Sequence, residues 1–140
     1  LTDVLGYQLL KQEGDSYRFK TDAIETGAIV DILEKPTAAP GYNAAGTNHH
    51  VAFRVKDDDI LMEYREKILS RGLNITPKID RDYFYSLYFR EPGGVLFELA
   101  TDNPGFTIDE PVNELGTHLQ LPKQYESDRV EIERILPSLQ

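Results

Sequence analysis

A short apolar run with one carboxylate inside it, Val95-Leu96-Phe97-Glu98-Leu99-Ala100, constrains this chain more than any other stretch. It follows the turn residues Glu91-Pro92-Gly93-Gly94 and is too short for a buried helix, so it is expected as a strand at the centre of a sheet. Glu98 is the anomaly. A carboxylate in a central strand is costly unless it is paired, hydrogen-bonded or bound to a metal ion. The alternative is an edge strand with Glu98 turned to water. The residues alone leave both open.

A central strand needs neighbours, and the flanking sequence supplies them. His49 to Val55 is expected as a strand, and Asp57 to Arg71 as an amphipathic helix. Asp57, Asp58 or Asp59 can cap that helix, Ile60, Leu61, Tyr64 and Ile68 fall on one face, and Gly72 ends it. Leu73 to Lys78 reads as extended, and Tyr83 to Phe89 as an aromatic-rich strand. The order is β-α-β-β-β. Residues 1–35 look like the tail of the same unit: a helix end closed by Gly6, then strands at Tyr7–Glu13, Ser16–Thr21 and Ala28–Glu34. The stretch 36–47, with Pro36, Pro40, Gly41 and Gly46, reads as a linker. Residues 105–140 form an extension with a final helix. Ser127 or Asp128 would cap it, Val130, Ile132, Ile135 and Leu136 are its apolar positions, and Pro137 stops it. The class is α+β. The chain opens at Leu1 inside a helix end without an initiator Met, which is expected of a fragment.

Charge and composition remove several functions. A net charge of −9 argues against nucleic acid and anionic membrane surfaces, both of which need basic patches. No apolar run approaches the roughly 18 residues that span a bilayer, and no segment resembles a signal peptide. With no Cys there are no disulfides, thiolate nucleophiles or Cys-based zinc sites, which is compatible with a cytoplasmic protein.

The chemistry then falls to few residues. The chain has three His, of which His49 and His50 are adjacent on an expected strand. Alternation would send them to opposite faces, one into the cavity with Ala52 and Arg54, the other with Val51, Phe53 and Val55. Asp80, Arg81, Tyr83, Tyr85 and Tyr88 make a polar and aromatic cluster upstream of Glu98. A Tyr or Arg from it could bind a phenolate or an oxygen intermediate, although the residues by themselves favour an ordinary Tyr-rich strand with a surface Arg. His118 lies outside both units, as a surface or late-strand residue.

A β-α-β-β-β unit that opens on "HHVAFRV" and closes on "REPGGVLFELATDNPGF" resembles the vicinal-oxygen-chelate module of the glyoxalase, bleomycin-resistance and extradiol-dioxygenase superfamily. Within it the chain is most similar to bacterial hydroquinone ring-cleaving dioxygenases, and the likeness extends through "LPKQYESDRVEIERILP". The resemblance implies tandem β-α-β-β-β modules forming a cupped mixed sheet, with 48–104 a complete module and the leading module truncated. It implies Fe(II), or Mn(II) in its place, held by two His and one carboxylate on one face of the ion. By position, His50 and Glu98 match two metal ligands. His49, Arg81 and Tyr88 match residues around the substrate, where they would stabilise charge and move protons. The third ligand would come from the N-terminal domain of the same protein, and a homodimer is the other way to supply it. A fragment holding two ligands is expected to be inactive alone.

The implied function is O2-dependent ring opening of a hydroquinone-type diol, with a small aromatic substrate and O2 as the partners. Two others share the module: a glyoxalase-like isomerase or thiol transferase, and a non-catalytic bleomycin-resistance-like binding module. The last expects a large apolar groove and no metal requirement, and a meeting of Glu98 with His50 would argue against it.

Overall fold

The computed structural model describes residues 1–39 and 41–137; Pro40 of the expected linker and the last three residues of the extension lie outside the described residues. Two sheets share the α+β architecture. The first unit is a short helix, α1 (Thr2–Leu5), followed by β1 (Gln8–Glu13), β2 (Ser16–Lys20) and β3 (Ile29–Leu33), an antiparallel sheet in that order. Gly6 closes α1 in the left-handed region, at φ 74°, as expected of a Gly terminator.

The second unit runs β4 (Val51–Val55), α2 (Asp58–Leu69), β5 (Ile79–Asp80), β6 (Phe84–Arg90) and β7 (Leu96–Pro104). Its sheet order is β4-β7-β6-β5, with β4 parallel to β7 and the other pairs antiparallel. The run around Glu98 is therefore central, with β4 on one side and β6 on the other, and the edge-strand alternative is removed.

Strand alternation divides the faces of this sheet. Val55, Leu87, Phe89, Phe97 and Leu99 pack with Leu61 and Ile68 of α2 into the buried core. Their neighbours Ala52, Ser86, Tyr88, Glu98 and Ala100 turn to the other face. α2 is tied at its start by Asp57, whose carboxylate accepts from the Ile60 amide at 3.0 Å. Asp57→Ala is expected to cost about 1 kcal/mol of stability, read as a lowered urea midpoint with unchanged slope.

Three expectations need correction. The strand expected from His49 begins at Val51, where pairing with β7 starts, so both His residues precede the ladder. Leu73–Lys78 forms no strand and joins β6 through an isolated Ile75–Phe89 bridge and the bonds of Thr76 to the Tyr88 backbone, and the edge strand falls at Ile79–Asp80. The final helix is shorter than its pattern. A 3-10 turn occupies Lys123–Asp128, α3 covers Arg129–Ile135, and the Asp128 side chain makes no capping bond. Val130 on α3 is 81% exposed, so an amphipathic pattern here does not mark a core among the described residues.

β3 and β4 each have one edge with no strand partner among the described residues. A groove of about 670 Å³ lies between them, lined by Ile29, Val30, Val51 and Phe53.

Candidate metal centre

The register that builds this site is set by the β6–β7 hairpin. Glu91 folds its carboxylate back on the turn, accepting from the Gly93 and Val95 amides at 2.8 and 2.7 Å. Gly94 holds φ at +92°, so the turn requires glycine there, while a Cβ at position 93 would meet Glu91 Oε1 at 2.8 Å and displace that carboxylate from the turn. The closed hairpin places Tyr88 directly across from Glu98. On the other side, Ala52 of β4 is in register with Glu98, and His50 stands two residues before it.

Glu98 is 3% exposed, yet both of its oxygens have partners. Tyr88 Oη donates to Oε1 at 2.7 Å. His50 Nε2 lies 2.7 Å from Oε2. The His50 ring stands edge-on to the Tyr88 ring, with centroids 5.7 Å apart. Arg81 completes the row, its Nη2 donating over a long 3.4 Å to Tyr88 Oη and its guanidinium 5.5 Å from that ring's centroid.

His49 departs from the expected alternation. Its Nδ1 is 3.0 Å from His50 Nδ1 and the two rings are 5.3 Å apart, so both imidazoles lie at the same site. The physical reason is that neither residue is held in a pleat: the pairing that enforces alternation begins one residue later.

The aromatic cluster separates. Arg81 and Tyr88 join the site, whereas Tyr85 packs against the core under the Lys78 ammonium, 4.3 Å from its ring centroid. Tyr83 donates to Asp109 at 2.7 Å, a bond that pushes its phenol up to about 12, and it stacks on Phe106. His118 is an exposed loop residue near Glu110 and far along the chain from the pair. Ser86 was not singled out in the sequence. It lies on the site face two residues before Tyr88, fully buried, with no partner for its hydroxyl among the described residues. The Ser-x-Tyr alternation of β6 was the signal available for it.

The donor chemistry fits a divalent ion in part. An imidazole nitrogen and a carboxylate oxygen that face each other at 2.7 Å are two donors of the kind a 2-His-1-carboxylate site uses. Among the described residues, no group of three or more His, Cys, Asp or Glu gathers; His50 and Glu98 meet as a pair.

The sequence profile of the Glyoxalase/Bleomycin resistance protein/Dioxygenase superfamily matches residues 1–99. The chain is 41% identical over 138 residues to "Putative ring-cleaving dioxygenase MhqO" of Bacillus subtilis (strain 168), covering 98% of this chain and 44% of that protein. It is 34% identical over 135 residues to "Chlorohydroquinone/hydroquinone 1,2-dioxygenase" of a Sphingobium indicum strain, covering 91% and 41%. The crystal structure of a "putative dioxygenase" from Bacillus subtilis superposes with a TM-score of 0.86 at 41% identity, over 96% of this chain and 43% of that one. The chain thus spans less than half the length of the curated relatives it matches. With the profile covering most of its length and the fold matched at this level, the chain belongs to the glyoxalase/bleomycin resistance protein/dioxygenase superfamily.

Proposed function

We propose that this chain is the C-terminal domain of a non-haem, metal-dependent dioxygenase that opens the ring of hydroquinone-type diols with O2. The observation that carries the proposal is the buried Glu98 carboxylate facing His50 Nε2 at 2.7 Å, beneath Tyr88 and Arg81. Similarity to a protein named as a hydroquinone dioxygenase supports the substrate class.

In this proposal His50 and Glu98 hold Fe(II), or Mn(II) in its place, and the N-terminal domain of the same protein supplies the third ligand. When bound, the metal ion would bring the diol and O2 together and pass electrons between them. Arg81 offers fixed positive charge to a phenolate oxygen. His49, an exposed base whose Nδ1 lies 3.0 Å from His50 Nδ1, would take up or return a proton at a ring nitrogen. The active protein is cytoplasmic in this account; no helix among the described residues is long and apolar enough to cross a membrane. Residues 48–104 form the ligand-bearing module, 1–35 the tail of a second module, 36–47 the linker, and 105–140 an extension.

Two other functions share the superfamily. The binding-module alternative expected a large apolar groove, and one lies between β3 and β4; the meeting of His50 with Glu98 argues against that alternative. The isomerase alternative is separated by experiment. The full-length protein, purified anaerobically and loaded with Fe(II), is expected to consume O2 with methylhydroquinone and give a product heavier by one O2. Turnover of methylglyoxal hemithioacetal without O2 uptake would move the proposal to the isomerase.

A further inference from the structure

The two oxygens of Glu98 are engaged differently, and the difference follows from chemistry rather than from placement alone. Arg81 has no hydrogen-bond acceptor, so its contact with Tyr88 Oη can only be a donation to that oxygen. The single proton of the phenol is then left for Glu98 Oε1, 2.7 Å away. Tyr88 cannot swing off this bond easily, because its backbone is paired opposite Glu98 within the ladder and its ring is held between His50 and Arg81. Oε2 faces His50 Nε2.

We propose that Tyr88 is a positioning residue that ties up Glu98 Oε1, so that the carboxylate offers a metal ion one oxygen, Oε2, on the side of His50. This rests on the assignment of Glu98 as a ligand. A carboxylate bound through both oxygens would fill one more position around the ion. Holding Oε1 away keeps that position for a substrate that must bring two oxygens of its own beside O2. Tyr88 thereby acts through Glu98, before any substrate arrives. A residue aimed only at the substrate would leave the substrate-free metal site untouched when removed.

The test uses Co(II) as the probe, in the full-length protein without substrate and at saturating metal. Tyr88→Phe keeps the ring and removes the hydroxyl. The variant is expected to bind Co(II) at unchanged stoichiometry but with a shifted visible absorption band, and X-ray absorption is expected to show the carboxyl carbon drawn in to the shorter metal distance of a carboxylate bound through both oxygens, the second oxygen replacing a water. A Co(II) spectrum and metal–carbon distance identical to wild type would overturn the positioning role. Glu98→Ala, measured beside it, keeps the two failures apart: if its spectrum also matched wild type, the ligand assignment itself would fall.

Discussion

Glu98→Ala in the full-length protein is expected to abolish metal retention and turnover while leaving the fold intact. Groups that merely orient a ligand typically change metal affinity by about 10–100-fold, and loss of a ligand itself should exceed the upper end of that range. The fold should survive for a separate reason. Glu98 is 3% exposed, so the native state bears the cost of desolvating its carboxylate, and the hydrogen bond from Tyr88 offsets that cost. Removing the side chain removes both together. Iron and manganese measured after gel filtration, beside a circular dichroism spectrum, separate the effects. Wild-type iron content in the variant would sink the ligand assignment.

One residue further along β7 the balance reverses. Leu99 points to the opposite face, is fully buried, lies across from Leu87 and belongs to the core packed under α2. Leu99→Ala is expected to cost about 3–5 kcal/mol, the transfer term plus the cavity a close-packed strand cannot collapse. Against a total stability of roughly 5–15 kcal/mol, this should shift the urea midpoint strongly or prevent folding at working temperature. A shift below about 1 kcal/mol would mean that the two faces of β7 have been interchanged. The adjacent pair thus separates what the sheet does for stability from what it does for chemistry.

The sequence made this division partly legible. A carboxylate in an apolar run marked β7 as central and Glu98 as its exception, and the helix periodicity of Leu61 and Ile68 matched their complete burial. The Gly93-Gly94 turn implied a hairpin, but only the register could show that Tyr88 stands opposite Glu98. Local pattern also misplaced the ends of elements. β7 continues through polar residues to Pro104 because β6 pairs with it that far, and β4 starts only where β7 offers a partner. That second shift is why the alternation assigned to His49 and His50 did not hold. The apolar positions of α3 show the opposite failure: Val130 and Ile135 follow helical spacing yet are exposed, because spacing records a face and not what covers it.

The most direct measurement is anomalous diffraction from crystals of the full-length protein loaded anaerobically with Mn(II), collected at the manganese edge. The account predicts a single strong peak bonded to His50 Nε2 and Glu98 Oε2, with Tyr88 still donating to Oε1. A peak elsewhere, with His50 and Glu98 still in direct contact as they are here, would contradict it.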